Sequence, residues 1–384
     1  MTINCRELKR RYELDGPQQT VRHLSEALRE GHLAPHDFSL RDLAESLVPD
    51  GRQWLAELDP SRGGAALLEA GEAVDVTAFT NITGQLVYSK ILEGMRNEEF
   101  VASRLVDTVP TRLDGEKIPG IGQLGDQAQI VQPGMPYPSV GFGEDWIETP
   151  STTKRGFIVP ITREAIFFDR TNLILRNALQ VGQSLGLNKE KRILDVIVGA
   201  ANNFKWQGND YDTYLAAGAW LNELSENPLT DWTNIDAVEQ AFADLTDPNT
   251  GEPILISGNT LLVPPGLRAI ALRVIGATQI RMGDLASGSG VTTVAANPVT
   301  NYRVESSRLL KARLTAASIP VDTWYTGDFR RAFAYMENWP ITVAQAPKNS
   351  EAEFNQDIVL RFKASERGAA AVLEPRAVIK SLAA

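Results

Sequence analysis

The stretch Gly156-Phe157-Ile158-Val159-Pro160-Ile161-Thr162-Arg163-Glu164-Ala165 decides how this chain is read. An extended apolar run ends at Pro160, whose ring leaves the strand without a backbone donor. The sequence then enters one unusually long helix, running to about Val198. Ile174, Ala178, Val181 and Leu185 step at four, three and four residues, so they face a core. Gly182 and Gly186 lie four apart and admit another backbone, at about 1 kcal/mol of helix stability each relative to alanine. Lys189, Glu190, Lys191 and Arg192 interrupt the apolar stripe, and Ile193, Leu194, Ile197 and Val198 resume it. Asp195 is spaced to pair with Lys191. No catalytic cluster sits on this helix. The layout points to a structural subunit, and to assembly rather than catalysis.

On the N-terminal side, Val109–Thr153 is dense in proline (110, 119, 133, 136, 138, 150) and glycine, which excludes a continuous helix. Gln127–Val131 and Ser139–Phe142 read as strands of a long two-stranded excursion. Alone it is marginally stable; packing over a neighbouring subunit would fix it. A helix is predicted from Gly84 to about Leu105, carrying Leu86, Ile91, Met95 and Phe100. Residues 1–60 read as short amphipathic helices. Val21, Leu24 and Leu28 share one face; Leu40, Leu43, Ala44 and Leu47 follow a cap made by Ser39 and Asp42; Trp54, Leu55 and Leu58 follow Asp50. Helices this short need a partner for their stripes: each other, the body, or another subunit. Pro60–Gly64 reads as a hinge, and 1–75 as an N-terminal arm.

On the C-terminal side, residues 204–330 form a second compact domain. Asn234 is the expected cap of a helix presenting Ile235, Val238, Phe242 and Leu245. Asp247–Gly251 supplies a turn, Ile254–Ile256 and Thr260–Val263 read as strands, and Leu267, Ile270, Ala271 and Val274 share a helical face. Ser287–Thr293 reads as an exposed loop. Strands return at Trp339–Val343, Ile358–Lys363 and Ala370–Leu373, broken at Gly368, so the second domain is inserted between a helix and strands of the first.

The length of 384 residues allows two or three domains, and 43% hydrophobic with 22% charged residues is a globular composition. There is no run of eighteen apolar residues to cross a bilayer, and the first ten residues lack the apolar stretch of a signal peptide. Cys5 stands alone, which excludes an internal disulfide. A net charge of −10 argues against a generalised DNA-coating surface, yet suits a wall that contains DNA without adhering to it.

The motifs of chemistry are weak. Gly120-Ile121-Gly122-Gln123-Leu124-Gly125 matches the dinucleotide-binding glycines by letters, but Pro119 precedes it and no helix-forming run follows, so it reads as a loop. His23, His32 and His36 all fall in the arm, with Pro35 between the last two, and read as surface or packing residues. Asp247 and Asn249 lack the remaining ligands of a calcium loop. Glu98 and Glu99 read as solvated acids. Trp206, Tyr211, Tyr214, Trp220 and Trp232 lack interleaved cations and read as core or subunit contact rather than a base-stacking platform. No catalytic, cofactor-binding or metal-binding residue is assigned.

This order of segments resembles the tailed-bacteriophage major capsid proteins of the HK97-like fold. The resemblance covers roughly 75–384 and rests on the stretch 156–165, on Leu261–Leu267, on Gly327–Tyr335 and on Asp357–Ala369. It implies an α+β fold with a long spine helix, an extended E-loop, a peripheral domain and an inserted axial domain. The expected divisions are 1–75, an arm in the place of the scaffold-like segment of some members; 76–108, a connection and helix; 109–160, the E-loop; 161–203, the peripheral domain with the spine; 204–335, the axial domain; and 336–384, the returning strands. It further implies hexamers and pentamers closing into an icosahedral shell around double-stranded DNA held without sequence-specific recognition. A scaffold, a portal and a maturation protease are the accessory partners of that scheme, with no membrane, no cofactor and no enzymatic activity. The location would be the virion capsid, assembled in the bacterial host cytoplasm. Ile118, Ile121, Ile130, Val131 and Phe142 are the loop residues available to anchor on a neighbour, and Lys117 is the loop lysine available for the crosslink some members form. Other readings are an encapsulin-like nanocompartment, a phage tail or connector component, or a two-domain soluble enzyme.

Overall fold

The structure, a computed structural model, describes residues 5–35, 38–48, 51–52, 55, 76–96, 99–122, 130–135, 145–202, 204–247, 250–283, 292–346 and 358–383. The expected strand Ser139–Phe142, most of Gln127–Val131, the hinge Pro60–Gly64, Asp50 with Trp54, His36, Glu98, Asn249 and most of Ser287–Thr293 lie outside them. The fold is α+β. Its helices are α1 (Cys5–Asp15), α2 (Pro17–Arg29), α3 (Leu40–Leu47), α4 (Val76–Met95), α5 (Ala102–Leu105), α6 (Arg163–Phe167), α7 (Thr171–Ile197), α8 (Trp232–Asp244), α9 (Pro265–Gly276), α10 (Arg308–Ala316) and α11 (Phe329–Ala332). The strands are β1 (Asp107–Pro110), β2 (Lys117–Pro119), β3 (Trp146–Glu148), β4 (Thr153–Thr162), β5 (Phe204–Trp206), β6 (Asn209–Tyr211), β7 (Glu223–Leu224) and β8 (Thr260–Val263). They continue with β9 (Gln279–Gly283), β10 (Thr292–Ala296), β11 (Arg303–Ser306), β12 (Trp324–Gly327), β13 (Phe333–Gln345), β14 (Ile358–Val372) and β15 (Val378–Ser381).

The chain divides into two compact units. The first comprises Met1–Glu98, Lys154–Asn188 and Trp339–Arg367; the second comprises Glu99–Thr153, Lys189–Asn338 and Gly368–Ala384. Helix α7 therefore gives its first two thirds, to Asn188, to one unit and its last third, from Lys189, to the other.

The first unit is built on apolar contact. Leu40, Leu43, Ala44 and Leu47, the predicted face of α3, are all buried, and the Ser39 side chain accepts the Asp42 N–H at 3.2 Å as its cap. The arm thus finds its partner in the body: these residues join Phe79, Ile82, Leu86 and Ile91 of α4, Val159 and Ile161 of β4, Ile174, Ala178 and Leu185 of α7, and Leu360 and Phe362 of β14. Helices α4 and α7 cross with backbones almost touching. A Cβ on Gly182 would run into the Ile91 carbonyl, and one on Gly94 into the Leu179 carbonyl. Of the two expected points of approach, Gly182 and Gly186, it is Gly182 that meets the Ile91 carbonyl; its counterpart Gly94 belongs to another segment and carries no local sign.

Two helix expectations need correction. The spine does not run unbroken from Ala165: α6 stops at Phe167, Asp169 takes φ 50°, and α7 starts at Thr171. Arg170 N–H returns to Ala165 O at 2.8 Å, and Thr171 Oγ1 donates to Asp169 Oδ1 at 2.7 Å while accepting Leu40 N–H at 2.9 Å. A short acidic side chain tolerates this left-handed turn. Likewise the helix expected over 84–105 is two helices, α4 beginning eight residues early and α5 restarting at Ala102.

The second unit centres on the five-stranded sheet β11–β8–β12–β15–β7. Helix α8 buries Ile235, Val238 and Phe242, as expected, but its cap is Asp231; Asn234 sits at the third helical position and reciprocates by accepting Asp231 N–H at 3.1 Å. Ile254–Ile256 forms no strand, only a bridge between Thr246 and Pro253 beside it. Gly368 does not break the returning strands. It lies inside β14, where a Cβ would strike the Tyr335 ring and the Met336 carbonyl, each 2.7 Å away.

Candidate functional site: a braced loop root and an exposed outer strand

In the second unit, β2 pairs antiparallel with β3, β3 with β5, and β5 with β6, so the segment Gly120–Asp145 leaves and re-enters the body through one small sheet. Polar groups brace its root. Asp114 Oδ1 accepts Thr152 N–H at 2.7 Å and the Thr152 hydroxyl at 3.0 Å. Gly120 N–H donates to Asp145 O at 3.0 Å, while the Asp145 carboxylate accepts Gly122 N–H, Trp206 Nε1–H at 2.5 Å and Gln207 Nε2–H at 3.4 Å. The Ile121 carbonyl accepts from Arg376 Nη2. Arg376 is fully buried; it forks onto Glu374 at 2.6 and 2.9 Å and meets Asp247 Oδ2 at 3.4 Å.

A second polar cluster holds the segment leading into β1. Glu190, fully buried, accepts Ala102 N–H at 2.6 Å and Ser103 N–H at 2.8 Å, satisfying donors at the start of α5. Burial pushes its carboxyl above the usual range, while these hydrogen bonds pull it back. Arg192 donates to the Tyr335 hydroxyl and Gly368 O, both at 3.1 Å, and Lys189 lies 3.5 Å from Glu337. The charged interruption in α7 is therefore a bracing element where the helix changes cores. Asp195 bonds Arg313 Nε at 2.5 Å, in place of the expected i,i+4 partner Lys191. Nothing in the local spacing distinguishes these charges from solvated ones. Beyond them, Tyr214 and Tyr325 donate to Ile197 O at 2.5 Å and Val198 O at 3.3 Å, closing the end of α7. Burial keeps both phenols neutral by pushing their pKa values well up.

The expected loop anchors part company. Ile121 is buried and Ile118 packs on the second unit's own core, because the β2–β3 pairing turns them inward. Ile130 is fully exposed, Val131 half-buried, and Phe142 lies outside the described residues. Lys117 is engaged, 3.7 Å over the Trp146 ring and 3.5 Å from Glu148. The glycine run 120–125 is a loop where it is described, with Gly120 against Asp145. Asp247 sits in a turn, its Oδ1 accepting Thr250 N–H at 3.2 Å. His23 and His32 are exposed beside Glu26 and Glu30. The aromatic residues spend their faces on each other: Trp220 lies 5.4 Å from Tyr211, 5.6 Å from Phe204 and 6.2 Å from Trp206.

In the first unit, β4 ends the sheet order β1–β13–β14–β4, so among the described residues its outer edge has no strand neighbour. Two consecutive apolar side chains on it, Phe157 and Ile158, are 46% and 57% exposed. An edge strand that carries exposed apolar side chains offers both unpaired main-chain groups and apolar area to another chain.

Ordered charge in the second unit braces the root of a loop, and in the first unit an outer strand carries exposed apolar side chains; both suit a structural subunit. The model of the phage capsid protein family matches residues 147–381, more than half of the chain. The chain belongs to the phage capsid protein family: it is a structural protein of the virion shell, associating with copies of itself. No curated protein matches. Similar solved structures include the capsid of a native GTA particle computed with C5 symmetry, at 12% identity over 74% of this chain and 90% of that one, TM-score 0.43. A virus-like particle from Pyrococcus furiosus matches at 10% identity over 76% and 96%, TM-score 0.41, and Gordonia phage Cozz at 11% over 73% and 85%, TM-score 0.43.

Proposed function

We propose that this chain is the major capsid subunit of an HK97-like shell, with 109–160 as the loop that crosses onto a neighbouring copy. In this reading hexamers and pentamers close into an icosahedron around double-stranded DNA in the host cytoplasm, with a scaffold, portal and maturation protease as accessory partners. The divisions at 1–75, 76–108, 161–203, 204–335 and 336–384 belong to the same proposal. The observation that carries it is the exposed pair Phe157–Ile158 on the outer strand β4. A neighbouring copy covering that strand removes apolar area from water at about 25 cal/mol per Å². Many such modest contacts reinforce one another once a ring makes the later ones intramolecular.

The test replaces 123–144 with a short Gly/Ser turn, which keeps the β2–β3 pairing intact. The subunit should retain its helical circular dichroism and fail to form closed particles by negative-stain electron microscopy. Normal shells from this variant would sink the loop assignment.

A further inference from the structure

The structure assigns Asp145 and Arg376 as positioning residues for assembly: together they fix the main chain of Gly120–Gly122 and so set where the loop leaves the body. The inference rests on the proposal that this loop crosses to a neighbouring copy. Three successive main-chain groups are held: Gly120 N–H by Asp145 O, Ile121 O by Arg376 and Gly122 N–H by the Asp145 carboxylate. Each clamp residue is itself fixed. Asp145 takes the indole N–H of Trp206, a ring packed against Tyr211 and Trp220, and Arg376 is forked on Glu374 with Asp247 on its other nitrogen. Gly120 is glycine for a matching reason: a Cβ there would fall inside the Asp145 carboxylate.

Gly120, the first glycine of the pattern, thus has a physical reason to be glycine. Gly120 makes room for the carboxylate, and the flanking amide of Gly122 comes close enough to be bound. Backbone clamping is insensitive to loop side chains, so the exit point of the loop is decoupled from the sequence beyond residue 122. Side-chain anchors would tie it to one loop sequence; a main-chain clamp ties it to the body.

The experiment compares the full chain with Asp145→Ala, Gly120→Ala and Arg376→Lys. The lysine keeps a cation for Glu374 and Asp247 but has no second nitrogen for Ile121 O. Val238→Ala, in the core far along the chain, controls for general destabilisation. Hydrogen exchange is read at 117–122 and at β12, and particle diameters are read by electron microscopy. Asp145→Ala, which keeps the Asp145 carbonyl but removes the acceptor of Gly122 N–H, should speed exchange at Gly122 at least tenfold, and Gly120→Ala should do so across 120–122, with β12 unchanged. Their particles should become open or broadly distributed in diameter, Arg376→Lys should lie between, and Val238→Ala should keep the normal diameter. Unchanged exchange at 120–122 overturns the clamp. Faster exchange with a normal diameter distribution overturns its positioning role. A wild-type chain that closes no particle defeats the shell reading instead, and the exchange data still decide the clamp.

Discussion

Both units have apolar cores, but their closest ties between distant segments differ. In the first, helices α4 and α7 meet through missing side chains, Gly182 against Ile91 and Gly94 against Leu179, amid a core of leucine, isoleucine and phenylalanine. In the second, segments are tied by buried charge: Glu190 to the start of α5, Arg376 to Glu374, Asp247 and the loop root. Apolar packing tolerates sliding and repacking; a buried charge network has one satisfied geometry and a steep cost for any other. The unit that holds the loop root adds this less forgiving material to its own apolar core.

If that contrast holds, the largest single effect belongs to Arg376→Met. It strands Glu374 and Asp247 in the interior and should cost about 3–5 kcal/mol by denaturant unfolding of the second unit. Glu190→Ala comes next, about 2–3 kcal/mol, by leaving the Ala102 and Ser103 amides without acceptors. The same site carries a pH signature. Because the folded carboxyl is raised, the folded state binds the proton more tightly, so its contribution is full below the ordinary carboxylate range and is lost as pH rises through the folded pKa. Thermal scans over that window should show wild type losing stability relative to Glu190→Gln; an identical slope in both would remove Glu190 from the account. Gly182→Ala probes the first unit and should cost roughly 1–3 kcal/mol, with no pH dependence, as α4 and α7 are forced apart. Asp231→Ala, a cap at the start of α8, should cost only about 1 kcal/mol in thermal denaturation.

What could be read in the sequence divides along the same line. Periodicity revealed the faces of α3, α8 and α9 and the apolar steps of α7, because burial of apolar residues leaves a spacing. It also revealed Gly182, since a small residue in a core face has few other uses. Bracing charges leave no spacing. Glu190 looks like any mid-helix acid until α5 is folded against it, and Asp195 looks ready for Lys191 until Arg313 arrives from 118 residues away. Asp145 and Arg376, the two ends of the loop clamp, are 231 positions apart and meet only through tertiary structure. The exposed pair Phe157–Ile158 sits inside the stretch that decided the fold. Its exposure was hidden because an apolar strand reads the same in a core and at an open edge.

Strand β15 sets a clock. It lies between β12 and β7 in the central sheet, antiparallel to one and parallel to the other, yet is synthesised after both. At roughly 5–20 residues per second, the ribosome takes about 3–11 s to go from the end of β12 to the end of β15. For that interval Trp324–Gly327 waits with one edge unfilled, and the second unit cannot mature however early its other parts condense.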